Sequence, residues 1–230
     1  MPAVISLASA KGGCAKTTTA LALGLELALD GARVTVLDAD PNQHAAEFGA
    51  TFARAKQALP EGAGFTVISH ITEDSILSEI RTARAGADFV IVDLPGIAAK
   101  LTLLGLTRSD LVIIPVQPSK MDARDALRTI KDIEQASETV GREIPYRVLL
   151  ARWPVLTETV VARHTRGELA KKGAPVLATP FMDRTAWKEM VYSGRCPRVV
   201  GADSNAAHNL TAITREVLTV LTSKAAEVAA

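Results

Sequence analysis

Apolar residues fall along this chain in two alternating styles. Short unbroken runs rich in β-branched residues are separated by longer stretches in which apolar positions recur every three or four residues. The runs Ala3–Ala8 ("AVISLA"), Arg33–Asp38, Phe65–His70, Ala87–Asp93, Asp110–Val116 and Tyr146–Arg152 read as strands, with Ala174–Pro180 as a seventh. The helical pattern covers Thr17–Leu29, Gln43–Leu59, Glu73–Ala85 and Ala123–Val140, with Asn205–Val228 as a closing helix.

Strands alternating with helices through short connections predict an α/β fold: a mostly parallel sheet with helices on both faces. Right-handed crossovers would gather the strand ends along one edge, where ligands bind. With no internal repeat, low-complexity tract or long linker, residues 1–230 read as one domain. A composition 48% hydrophobic and 22% charged belongs to a folded chain. At 4% aromatic residues, stacking on nucleic acid bases is excluded as a main binding mode. Cys14 and Cys196 are too few for a disulfide framework or a zinc site, and read as reduced thiols. No signal peptide and no span-length apolar stretch is visible, so the expected location is cytoplasmic.

The stretch "SAKGGCAKTTTA", Ser9–Ala20, carries the chemistry. Gly12 and Gly13 permit a turn whose backbone N–H groups point inward on an anion, and the following helix adds its positive end. Lys16 would reach the β- and γ-phosphates, and the Thr17 hydroxyl would ligate Mg²⁺. Ala10 and Ala15 stand where the general pattern has glycines, and an additional lysine, Lys11, precedes the glycine pair. A methyl group at Ala15 calls for a near-helical backbone there. Cys14 lies near a helix N-terminus, and a passive small residue is a better reading of it than a redox switch.

"KGGCAKTT" resembles the deviant Walker A motif of the ParA/MinD family of ATPases. The resemblance implies that residues from Lys11 through Gly12, Gly13, Cys14, Ala15, Lys16, Thr17 and Thr18 hold ATP. It also implies that Lys11 reaches the partner's phosphates across a nucleotide-sandwiched dimer, much as an arginine finger does. "LDADPNQ" resembles the family's D-x-D-P-Q box, which gives Asp40 the attacking water and Asp38 the Mg²⁺ shell. "DFVIVDLPG" resembles a Walker B strand, with Asp93 on Mg²⁺ through water and Pro95–Gly96 as a γ-phosphate-sensing turn. Each aspartate alone is equally well a strand-end turn former. Pro115 and Pro118, in "IIPVQPSKMD", fall in a segment that lies beside the nucleotide in the family. Arg152 falls near the base, where a surface arginine is an equal reading.

Family members put this switch to different uses. ParA relatives bind DNA without sequence preference as ATP dimers, with a ParB-like or other partner stimulating hydrolysis. MinD relatives bind membrane, and others are metabolic enzymes of the dethiobiotin synthetase type. In the closing helix Leu210, Ile213, Val217, Leu221 and Val228 share one face, with only Arg215 and Lys224 as cations, which argues against a membrane anchor. Residues 1–141 carry 13 Lys+Arg against 17 Asp+Glu, and residues 142–230 carry 13 against 8, so the second half is the basic one. Arg163, Arg166, Lys171 and Lys172 form one cluster, and Arg184, Lys188, Arg195 and Arg198 another. Both suit non-specific phosphate contacts, and a solvated helix face accounts for the same residues. The reading is a small ParA-type ATPase with no N-terminal helix-turn-helix domain. It would be nucleoid-associated when ATP-bound, and would segregate a plasmid or chromosome region or position a protein cargo.

Overall fold

The computed structural model describes residues 2–96 and 100–229, and side chains as far as residue 223. Seven strands form one sheet: β1 (Ala3–Leu7), β2 (Arg33–Asp38), β3 (Gly64–Ile68), β4 (Phe89–Asp93), β5 (Leu111–Val116), β6 (Tyr146–Trp153) and β7 (Phe181–Met182). Their spatial order is β3-β2-β4-β1-β5-β6-β7 and every pairing is parallel. The expected α/β architecture is the observed one.

Alternation along the strands divides the core into two layers. Val4, Val90, Val92, Val112 and Ile114 face one side. They pack there against α3 (Ile76–Gly86), α4 (Lys100–Leu106), α5 (Lys120–Val140) and α6 (Val160–Lys171). Ile5, Leu7, Ile91, Leu111 and Ile113 face the other. That side is covered by α1 (Lys16–Leu29), α2 (His44–Ala55), α7 (Thr185–Ser193) and α9 (Asn205–Ala229). A four-residue helix, α8 (Pro197–Val200), joins α7 to α9. Helix α1 lies between the sheet and α9, which explains why "ALALGLELAL" is apolar all round rather than striped. Lys224 and Val228 lie beyond the described side chains.

Two expectations need correction. The run 174–180 forms a single bridge, Val148 to Val176, and the seventh strand comes later at Phe181–Met182. Pro175 and Pro180 have no N–H to give a ladder, and the amides of Ala178 and Thr179 bind the Glu216 carboxylate instead, at 2.6 and 3.0 Å. Helix α5 starts three residues before the expected Ala123, because Ser119 caps it by accepting from the amides of Met121 and Asp122.

Candidate functional site

The strand order puts the ends of β1, β4 and β2 side by side at the sheet's carboxyl edge. Asp93 ends β4 in register with Leu7 of β1 and Asp38 of β2. The loop 8–15 leaves β1 there and feeds α1, so the Asp93 carboxylate and the first turn of α1 meet. The Thr17 hydroxyl donates to Asp93 Oδ2 at 2.6 Å. Asp93 is fully buried, and burial, with the nearby Asp38 and Asp40 charges, pushes its carboxyl up to about 7 against the pull of Thr17 and Lys16.

Its other oxygen, Oδ1, has no hydrogen-bond partner among the described residues. A buried, orphaned carboxylate oxygen beside a threonine hydroxyl is the donor chemistry of a hard divalent cation. Among the described residues no group of three His, Cys, Asp or Glu side chains is placed to hold a metal ion, so such an ion would draw its other ligands from nucleotide and water. Mg²⁺ fits that description.

The loop itself is held from three sides. Lys16 is buried, and its Nζ donates to the Lys11 carbonyl at 3.1 Å, placing the ammonium inside the loop's curve. The Gln117 amide donates to the Gly13 carbonyl from the loop after β5. Gly96 lies against the opposite wall: a Cβ there would stand 2.7 Å from the Lys11 carbonyl carbon and 2.8 Å from the Gly12 nitrogen. Only glycine permits that contact, so the turn after β4 and the loop after β1 share one surface.

Ala15 corrects the expectation of near-helical backbone. Its φ is 74° and ψ is 21°, the left-handed region, and it immediately precedes α1. The glycine of the general pattern would occupy this conformation without strain; alanine holds it at a cost of about 1 kcal/mol. Cys14 is buried, with its thiol toward the Lys11 carbonyl.

The other residues singled out from the sequence separate into groups. Asp38 is fully buried, and its carboxylate accepts from the amides of Asp40 (3.2 Å) and Ala46 (2.9 Å), anchoring the start of α2. Asp40 accepts from the Asn42 amide and side chain. Lys11 turns away from the loop's interior to Asp122 in the first turn of α5, 2.6 Å from Nζ to Oδ1. Pro115 is buried within β5.

Beyond Thr18 a cavity of about 410 Å³ opens, lined by Ala15, Thr18, Arg152, Asp183, Arg184 and Lys188 among others. Trp187 stacks on Phe181 in its wall, ring centroids 4.3 Å apart. Arg152 enters it from a β-bulge in β6 with φ 48°, so strained backbone aims this side chain. Pro115 and Pro118 do not line it.

The two basic clusters sit on opposite layers of the sheet. Arg163, Lys171 and Lys172 are exposed on and just after α6, with Lys171 paired to Glu168, while Arg166 stacks over Trp153 and bonds Glu158. Around α7 and α8, Arg195 is exposed, but Arg198 turns inward between Asp30 (2.7 Å) and the fully buried Glu26 (3.2 Å). Asp122, Gln117 and Glu26 were not singled out from the sequence. Asp122 and Gln117 lie inside the quoted segment after β5, and Glu26 is the one charged residue in the apolar run Ala20–Leu29.

A parallel sheet in this order, with a phosphate loop leaving β1 and two strand-end aspartates abreast, defines the ParA/MinD class of P-loop ATPase folds. The chain matches the VirC1 protein family over residues 2–224, and it belongs to that family. It is 32% identical to Protein ParA of Rhizobium radiobacter, with 84% of each chain covered. It is 28% identical to the maintenance of carboxysome distribution protein A of Halothiobacillus neapolitanus, over 93% of this chain and 95% of that one. Among solved structures, apo McdA of Cyanthece superposes with a TM-score of 0.77 at 17% identity, covering 94% of this chain and all of the other.

Proposed function

We propose that this chain is a Mg²⁺-dependent ATPase that dimerises around ATP, binds DNA without sequence preference and positions a cargo. A partner protein stimulates hydrolysis in this scheme. The observation that carries the reading is the division of labour between two lysines. Lys16 is buried inside its own loop, whereas Lys11, only partly buried, turns out of that loop to Asp122.

Each residue then has a task. Backbone amides between Gly12 and Thr18 bind the phosphates, with Lys16 as their cation. Thr17 and Asp93 would hold the metal ion, which would supply neutralisation of the phosphates' negative charge. Asp40 orients the attacking water from the end of β2, and Asp38 keeps the Asp40 loop and α2 in place. The cavity past Thr18 takes the nucleoside, with Arg152 directed at it. The partner's Lys11 adds a cation at the γ-phosphate, so full rate requires the dimer. Exposed cations on α6 and near α7, Arg163, Lys171, Lys172, Lys188 and Arg195, meet DNA phosphates. The relative named for maintenance of carboxysome distribution supports a positioning role.

The test is binding to DNA of random sequence at low salt with ATP, ADP and no nucleotide. Binding confined to ATP and weakening as salt rises supports the reading; equal or absent binding in all three states removes DNA as the matrix.

One observation favours a metabolic enzyme instead. A second cavity of about 380 Å³ lies beside Thr17, between α1, α2 and α7, with His44, Glu47 and Thr51 in its wall. Hydrolysis that requires a small-molecule acceptor, with no response to DNA, would select that reading.

A further inference from the structure

The cavity past Thr18 carries more positive charge than a nucleoside uses. Its wall holds three cationic side chains, Arg152, Arg184 and Lys188, against one carboxylate, Asp183. Among the described residues no ion pair joins any of the three to an acidic side chain. One unpaired surface cation is ordinary, but three around one cavity repel one another and draw anions from solution.

Two further observations set these cations apart from a solvated surface. Arg184 is half-buried, and its Nε is buried with no hydrogen-bond partner among the described residues. Arg152 stands on left-handed backbone at the β6 bulge, φ 48°, a conformation that costs free energy and directs the side chain at the cavity. The aromatic wall has no call on either arginine, because Trp187 stacks on Phe181 and gives its N–H to the Met182 carbonyl at 2.7 Å. A base and a ribose are uncharged, and apolar contact with a few neutral hydrogen bonds holds them. Two guanidinium groups and an ammonium are instead the donor set for phosphate, which arginine grips through two parallel hydrogen bonds.

We propose that this cavity is an anion site, and that it takes a purine nucleotide carrying a second phosphate on its ribose. The proposal rests on the reading of the loop after β1 as the ATP site. Ala15 and Thr18 belong both to the phosphate-binding stretch and to the cavity wall, so a nucleotide whose 5′ phosphates lie at the loop brings its ribose to the cavity. A phosphate on the 2′ or 3′ hydroxyl then meets Arg152, Arg184 and Lys188. Bound this way the nucleotide excludes ATP, so its concentration sets how much of the protein is free to enter the ATP cycle.

The experiment displaces a fluorescent ATP analogue from the full chain with adenosine 3′,5′-bisphosphate, adenosine 2′,5′-bisphosphate and adenosine 5′-monophosphate, which differ only in the ribose phosphate. The same titrations are run on Arg152→Gln/Arg184→Gln and on Arg184→Lys. In wild type one of the bisphosphates should displace the analogue at a concentration about tenfold or more below the monophosphate. That advantage should fall to about twofold or less in Arg152→Gln/Arg184→Gln and be largely kept in Arg184→Lys. The readout is a ratio within each variant, so a general loss of nucleoside binding cancels. Equal displacement by all three nucleotides in wild type overturns the anion site, and so does an advantage that persists in the double variant. Inorganic phosphate at the same concentrations should displace nothing; displacement by it as well as by a bisphosphate overturns the attachment to ribose. An analogue that does not bind wild type at all overturns the ATP-site reading itself.

Discussion

Lys11 Nζ lies 2.6 Å from Asp122 Oδ1, a bond between the phosphate loop and the first turn of α5. Asp122 is almost wholly buried, and Lys11 is about one-third exposed at 36%. A lysine held this way within one copy must leave Asp122 before it serves another. Asp122→Asn removes the competing charge and keeps the shape. With each pair discounted for solvent to about 1 kcal/mol, and one pair released by each of the two copies, dimerisation with ATP should tighten roughly thirtyfold. Sedimentation equilibrium of the variant checks this, and weaker dimerisation would count against the competition.

Ala15 holds a left-handed backbone at the entrance to α1. Ala15→Gly should raise the stability of the nucleotide-free protein by up to about 0.5 kcal/mol, relieved strain slightly outweighing the added freedom of the unfolded chain. Denaturant midpoints at unchanged slope report it. A lower midpoint would mean that the methyl group's packing outweighs its strain.

Gly96 touches the phosphate loop so closely that no side chain fits. In Gly96→Ala the new methyl group displaces Lys11 and Gly12, at about 1–3 kcal/mol for overpacking. Nucleotide affinity should fall about tenfold or more, as titration with the ATP analogue would show. Unchanged affinity would mean that the two loops move together without consequence.

Arg198 sits between Asp30 and Glu26, and Glu26 is also bonded by the Thr211 hydroxyl at 2.6 Å. Arg198→Ala therefore should destabilise the fold by about 2 kcal/mol, because a buried carboxylate loses its cation. Arg195→Ala, on an exposed side chain, should leave stability unchanged. Burial already raises the Glu26 carboxyl above its ordinary value of 4.5. A group raised in the folded state contributes stability below its unfolded pKa and loses it as pH rises through the folded one. Losing Arg198 raises Glu26 further, so the variant's deficit should be larger at pH 8 than at pH 5. Melts at the two pH values test the sign.

The sequence made legible what periodicity and short spacing encode. Six of the seven strands and the phosphate loop follow from runs such as "FVIVD" and from Gly12, Gly13 and Lys16. What it hid depends on contacts between distant residues. The left-handed turn at Ala15 follows from how the loop returns to α1, and the Asp122 bond crosses 111 residues. Arg198 reads as a surface cation in "SGRCPR" and becomes an interior one only because Glu26, in the middle of α1, faces it. The seventh strand was displaced because Glu216, on α9, takes the amides of Ala178 and Thr179.

The central claim is that Lys11 couples ATP to the meeting of two copies. Its most direct measurement is the sedimentation of wild type and Lys11→Ala with Mg·ATP and with Mg·ADP. The account predicts a dimer for wild type with ATP alone, and monomers for Lys11→Ala in both. A Lys11→Ala protein that dimerises with ATP as wild type does would contradict it.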